Sequence, residues 1–240
     1  MRMKCFIRGP MVLILFSIIS APLFAQISIG AKVGANFTSL GDFTFYNSER
    51  SSIKYNVGGY AEYNVTSFLD ARAEILYFQE GGNLNDYYVY EPYVLRKDVK
   101  LTSHNLQIPI IAQLSLPSLK EKKISPKLML GGYYSYAFQF RERYTKVIRI
   151  PGLPFSESET ALDVSSQYNQ SNFGYLIGIG ANLKLFGKEL NVDFRYTRPL
   201  NNLNADPGLL SDQILDVVDS NNKLYSGTFS INAGLNLFKF

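Results

Sequence analysis

Residues 172–186 read NFGYLIGIGANLKLF, and every second side chain is of one kind. Phe173, Tyr175, Ile177, Ile179, Ala181, Leu183 and Leu185 take one parity, while Asn172, Gly174, Gly178, Gly180, Asn182 and Lys184 take the other. Successive side chains of a strand leave on opposite faces, so this period of two predicts a strand with one apolar and one polar face. The line is also long, since soluble strands usually have about 5–6 residues.

The same alternation recurs along the chain. Leu190, Val192, Phe194 and Tyr196 oppose Asn191, Asp193, Arg195 and Thr197 within Glu189–Arg198. Leu69, Ala71, Ala73, Ile75 and Tyr77 oppose Asp70, Arg72 and Glu74. Leu106, Ile108, Ile110, Ala112, Leu114 and Leu116 oppose Asn105, Gln107, Gln113 and Ser115. Ile27–Thr38, Ile53–Val65, Lys127–Phe140 and Tyr225–Phe240 complete a set of eight strands, and past residue 26 no long stretch carries the 3.6-residue period of a helix.

Alternation alone fits a soluble sandwich as well as a membrane barrel. Three further features separate them. The strands approach or exceed the roughly 9–11 residues that a tilted strand needs to cross a bilayer. The polar parity carries full charges in mid-strand, which a sandwich core accepts only at a large desolvation cost. The connectors alternate, with long segments at 39–52, 80–100, 141–171 and 199–224 and short ones at Thr66-Ser67, Pro117–Pro126 and Gly187-Lys188. Short periplasmic turns and longer external loops are the layout of outer-membrane barrels. The expected fold is therefore all-β, an eight-stranded antiparallel up-and-down transmembrane barrel in the outer membrane with both termini periplasmic.

Arg2, Lys4 and Arg8, the apolar run Met11–Ile19 and the small-residue end at Ala25 are arranged as a secretory signal. Residues 1–25 are expected to be that signal and 26–240 the barrel domain. Removing the signal takes the formal charge from +4 to +1 and removes the sole Cys, Cys5. No disulfide is then available, and the net charge argues for no nucleic-acid partner. Part of the excess of 17 Tyr and 17 Phe is expected at strand ends, as girdles at headgroup level, with Phe37, Tyr55, Tyr63, Tyr77, Phe173, Phe194 and Tyr196 as candidates, and β propensity alone is the plainer account.

The sequence resembles the PorT-like outer-membrane β-barrel family, porin-family small barrels of Bacteroidetes-type bacteria. The residues that carry the resemblance are Gly30-Ala31-Lys32-Val33-Gly34-Ala35-Asn36-Phe37, Leu106-Gln107-Ile108-Pro109-Ile110-Ile111-Ala112, Pro126-Lys127-Leu128-Met129-Leu130-Gly131-Gly132, and Phe173-Gly174 to Gly178-Ile179-Gly180-Ala181. The resemblance implies an eight-stranded outer-membrane barrel with no assigned reaction, and its name-giving branch is tied to protein export. Phe238-Lys239-Phe240 resembles the C-terminal aromatic signal read by the barrel-insertion machinery, although strict alternation puts Phe240 on the wrong face unless a bulge restores the phase.

An eight-stranded barrel is just wide enough to be filled by its own side chains. Lys32, Lys54, Glu62, Arg72, Glu74, Lys127, Lys184, Asp193 and Arg195, with Asp70, are expected to form an interior charge network that closes the lumen. The competing reading is a narrow path for ions or small solutes. His104 is the only His and lies near Thr102 at the expected outer rim. A rim hydrolase or acyltransferase would need an oriented base and an oxyanion site besides, and neither is visible, so no catalytic residue is assigned. One His and no mature Cys leave no set of zinc ligands, and no metal or cofactor is expected. The polar-parity glycines of 172–186 are read as relief of crowding in a narrow barrel.

Specific function is expected in the external loops. Tyr87, Tyr88, Tyr90 and Tyr93 form an aromatic cluster of the kind favoured at contact surfaces, and Arg141, Arg143, Lys146 and Arg149 form a basic half-loop suited to lipopolysaccharide phosphates. A solvated extension of the strands is the plainer account of that charge run. The expected role is a non-enzymatic structural or interaction component. Its partners would be outer-membrane lipid, lipopolysaccharide, the insertion machinery and proteins of a secretion or surface-assembly system.

Overall fold

The computed structural model describes residues 27–40, 51–90, 93–116, 123–149, 156–185, 188–203 and 226–240. The strands are β1 Ile27–Leu40, β2 Ser51–Asn64, β3 Leu69–Tyr90, β4 Tyr93–Ser115, β5 Ile124–Arg149, β6 Ser156–Asp163, β7 Ser171–Leu185, β8 Lys188–Pro199 and β9 Ser226–Lys239. Eight of them close a ring in the order β1-β2-β3-β4-β5-β7-β8-β9, sealed by the β1–β9 and β4–β5 ladders, and all pairs are antiparallel. β6 pairs only with the upper part of β5. The first and last strands meet at the short-turn end, where Ser28 is opposite Lys239. The expected signal, residues 1–25, lies outside the described residues.

The parity read from the sequence is the parity of the barrel wall. Ile110 is 60% exposed and the next residue, Ile111, 1%, so one faces lipid and the other the interior. Val33, Ile75, Leu128, Leu130, Ile177 and Ile179 share the outward face. On β4 and the residue just past it the apolar outward series runs from Leu106 to Leu116, the span of about 9–11 residues that crosses the hydrocarbon core. Rings gather where that series ends. Tyr55 and Tyr77 lie 5.7 Å apart, Tyr77 and Phe138 6.1 Å, and His104 and Phe138 6.2 Å. At the opposite end Tyr63, Phe68, Phe238 and Phe240 are exposed.

One expectation of the sequence needs correction. Residues 80–90 and 93–100 are strand and not loop, because the β3–β4 ladder continues up to Tyr90 opposite Tyr93, while the solvated strand extension weighed for the 141–149 charge run is present, with β5 continuing to Arg149 between β4 and β6. Ladder hydrogen bonds need no apolar face, so above the bilayer the strands go on while the period-two signal fades. The described part of the long 141–171 segment that is not strand holds a single 3-10 turn, Ser165–Gln167. At the C-terminus the bulge that restores the phase is present: the β1–β9 register shifts between Ile29 and Gly30, which pair with Phe238 and Asn236, leaving Leu237 as the extra residue. That bulge puts Phe238 and Phe240 on the exposed side.

Candidate functional site

Inside the barrel, alternation delivers four cations and four carboxylates to one level. Lys32, Arg72, Lys127 and Arg195 face Glu62, Asp70, Glu74 and Asp193, and all eight are buried. Glu74 on β3 is the hub. It accepts hydrogen bonds from Arg195 Nη1 at 2.7 Å and Nη2 at 2.8 Å, and from Lys32 Nζ at 3.3 Å. Arg72 Nη1 stands 3.7 Å from the same carboxylate. Asp193 accepts from Lys32 Nζ at 3.0 Å and from Asn232 Nδ2 at 2.7 Å. Glu62 accepts from Arg72 Nε at 2.9 Å and Lys127 Nζ at 3.0 Å, and Lys127 also reaches Gln113 Oε1 at 2.9 Å and Asp70 at 3.5 Å.

Some of these bonds cross the lumen. In a ring of eight, β3 and β8 are four places apart and so face each other across the full diameter. Arg195 of β8 to Glu74 of β3, and Arg72 of β3 to Asn191 of β8 at 2.6 Å, are both such crossings. Burying each charge costs several kcal/mol, which only complete pairing offsets, and the matched signs provide it.

Lys54 and Lys184 do not join this network. The β2–β3 ladder runs only as far up as Asn56 opposite Phe78, and above it Lys54 reaches past β3 to Thr102 Oγ1 on β4, 2.8 Å away. Lys184 is exposed at the turn end of β7, opposite Glu189, where the wall no longer encloses it. Parity names the face of a residue and not its height, so it misplaced both.

Sequence reasoning also passed over further members of the interior. Asn56 Nδ2 donates to Asn36 Oδ1 at 2.6 Å and to Asn232 Oδ1 at 3.0 Å, making an amide layer above the ions. Higher still, Thr38 and Thr228 hydroxyls meet at 3.1 Å, and Glu80 accepts from Thr228 at 3.3 Å. The Tyr60 ring lies beneath the Arg72 guanidinium, 4.4 Å from centroid to Cζ, and its hydroxyl bonds Asn236 and Asn191. All of these share the parity of the charges, which was the available signal. A small apolar cluster of Ile111, Met129 and Leu176 fills part of the remaining lumen.

At the upper rim Phe140 stacks on Tyr168 at 4.7 Å, and Tyr168 Oη donates to Glu142 at 3.0 Å. Hydrogen bonds from Ser165 Oγ and N–H hold the exposed Asp163 carboxyl below its ordinary pKa. His104 Nδ1 meets Tyr77 Oη at 2.6 Å, while the Thr102 hydroxyl is occupied by Lys54. These two residues thus bond different partners rather than each other. A cavity of about 220 Å³ on this rim is lined by Lys54, Lys100, Thr102, His104, Arg141 and Arg143. The side chains of Tyr87, Tyr88, Tyr90, Tyr93, Lys146 and Arg149 lie outside the described ones. Among the described residues no group of His, Cys, Asp and Glu is placed to hold a metal ion.

The family model of the outer membrane protein beta-barrel domain matches residues 22–204. No curated protein sequence matches the chain. Similar solved structures include Ail, the attachment invasion locus protein of Yersinia pestis, at 11% identity over 90% of this chain and 99% of that one, with a TM-score of 0.37. Neisserial surface protein A matches at 10% identity over 88% of this chain and 99% of that one, TM-score 0.40. Acinetobacter baumannii CarO matches at 10% identity over 83% and 95%, TM-score 0.38.

Proposed function

The chain belongs to the outer membrane protein beta-barrel domain family, and from that premise we propose that it is a non-enzymatic barrel, sealed by its own side chains, that acts through its outer hairpins. The observation that carries this reading is the Arg195–Glu74 pair, bonded twice across the lumen diameter at a level where four cations meet four carboxylates. An ion entering there must displace side chains whose charges are already matched, whereas a conducting filter binds its ions weakly enough to release them. In planar bilayers the purified protein is expected to give no steady unitary conductance. A reproducible open-channel current would replace this reading with that of a narrow pore.

The hairpins β3–β4 and β5–β6 continue the wall beyond the aromatic level, whereas the opposite end has only short turns. That asymmetry supports periplasmic termini and external hairpins. The ordered motifs from Gly30–Phe37 to Gly178–Ala181 support a PorT-like placement and, with it, work in protein secretion or surface assembly. Affinity purification from native membranes after crosslinking is expected to bring down envelope or secreted proteins in stoichiometric amount. Recovery of the barrel alone would leave a purely structural role.

A further inference from the structure

The outward face of the barrel changes character at one level. On β4 the outward residues Ile110, Ile108 and Leu106 give way to His104, Thr102 and Lys100. On β5 the change needs a break in parity. Up to Phe138 the even-numbered residues point out, Leu128, Leu130, Tyr136 and Phe138 among them, while Met129, Tyr133 and Ala137 are buried. Strict alternation would therefore send Arg141 and Arg143 into the lumen. The β4–β5 register shifts between His104 and Asn105, which pair with Gln139 and Ala137, so Phe138 is an extra residue. Past this bulge Phe140 is buried and Arg141 and Arg143 are exposed. A bulge is a device for re-aiming side chains, and here it brings two guanidinium groups beside Lys100, which is paired with Arg143 across the ladder. Lys54 completes the group from β2 by way of Thr102.

We propose that this cleft holds a phosphate group of an outer-leaflet glycolipid headgroup, with Lys54, Lys100, Arg141 and Arg143 as its charge partners and the Thr102 hydroxyl as a further donor. Four cations of one sign around a small cavity repel one another, and that arrangement is stable once an anion sits among them. Among the described residues only Arg143 of the four is salt-bridged to a carboxylate, Glu159 at 3.2 Å, where both side chains are more than half exposed. Asp163, opposite Arg141 across the β5–β6 ladder, offsets part of that guanidinium's charge but is held by Ser165 and Gln139 and makes no salt bridge to it, so the cleft keeps a net positive charge. Guanidinium groups bind phosphate in a bidentate fork and lysines bind it as point charges, so the mixed set suits a phosphate monoester. The height fixes the source. The cleft lies directly above the Tyr55, Tyr77, His104 and Phe138 rings, at the level of lipid headgroups, and the apolar wall below it accepts acyl chains. The proposal rests on the reading that this rim faces the cell exterior.

The test uses the full barrel in phosphatidylcholine nanodiscs, probed with bisphosphorylated lipid A, the same lipid after phosphatase treatment, and inorganic phosphate, with binding read by native mass spectrometry. Bisphosphorylated lipid A is expected to be retained one per barrel. The Lys100→Gln/Arg141→Gln variant should bind it about 100-fold more weakly, roughly tenfold for each charge-assisted hydrogen bond removed. Lys184→Gln/Lys188→Gln at the opposite rim, with the same change in net charge, should bind as the parent does. Heat-modifiable gel mobility checks that each variant is folded. Equal retention of the dephosphorylated lipid, or equal weakening in the two double variants, overturns the site. Inorganic phosphate binding as tightly as the lipid overturns the lipid source. Labelling of Ser166→Cys on intact cells with an impermeant maleimide tests the orientation separately, because nanodiscs expose both rims.

Discussion

Glu74→Ala is expected to lower the unfolding free energy of the barrel in lipid vesicles by about 3–5 kcal/mol, measured by urea titration, because it strands buried cations without a counter-charge. Three cations converge on this one carboxylate: Arg195, Lys32 and Arg72. Asp193 remains for Lys32 and Arg195, and Glu62 for Arg72, so the loss is large without being the sum of three broken pairs. Arg143→Gln supplies the contrast. Its partner Glu159 is more than half exposed, and a pair of that kind is worth less than about 1 kcal/mol. A Glu74→Ala/Arg195→Ala double variant should be destabilised by less than the two single changes added together, since each single change leaves the other group buried and unpaired. Strict additivity would mean that the two groups do not act as a unit.

Much of this barrel was legible in the sequence because its wall is a two-sided surface between lipid and a polar interior. The parity of Ile110 and Ile111, or of Asp193 and Phe194, follows from alternation alone. What alternation conceals is whatever breaks it or outlasts it. Phe138 and Leu237 each shift the phase by one residue, and a single extra residue exchanges the two faces for everything beyond it. That is why alternation alone would put Arg141 and Arg143 on the inner face when they stand on the outer one. Height was the second blind spot. Lys54 and Lys184 have interior parity but sit where the ladder has parted or the wall has ended. The partners of each charge were a third, because Glu74 and Arg195 stand 121 positions apart and meet only through the closure of the ring.

The glycines of the polar parity lead to the second large effect. Those of 172–186 read from the sequence as relief of crowding, and the structure shows what would crowd them and Gly30 alike. A Cβ on Gly30 would overlap the Tyr60 ring at Cζ and lie 2.5 Å from the Leu235 carbonyl oxygen. Gly174 stands in the same relation to Tyr133, whose ring and hydroxyl a Cβ would overlap. Each pair is directly opposite across a ladder, Gly30 with Tyr60 and Gly174 with Tyr133, so an inward Tyr ring lies flat on a neighbour that has no side chain. Tyr60 has little freedom to retreat. Its hydroxyl is tied to Asn236 and Asn191, and its ring lies under Arg72. The Leu235 backbone belongs to the β1–β9 ladder that closes the barrel, next to the bulge at Leu237. Gly30→Val is therefore expected to destabilise the folded barrel by about 3 kcal/mol, the upper range for overpacking, and to reduce the heat-resistant fraction on gels. Gly59→Val is the matched control, because it sits on the lipid-facing side of β2 and a Cβ there would meet only the Gly30 carbonyl oxygen at 3.4 Å. A β-branched residue suits that open strand position, so this change should alter stability by less than about 1 kcal/mol. Equal effects of the two substitutions would show that the Tyr60 ring is not anchored as described. A large effect confined to Gly30 would place the constraint at the closing seam, where β1, β2 and β9 share one aromatic ring.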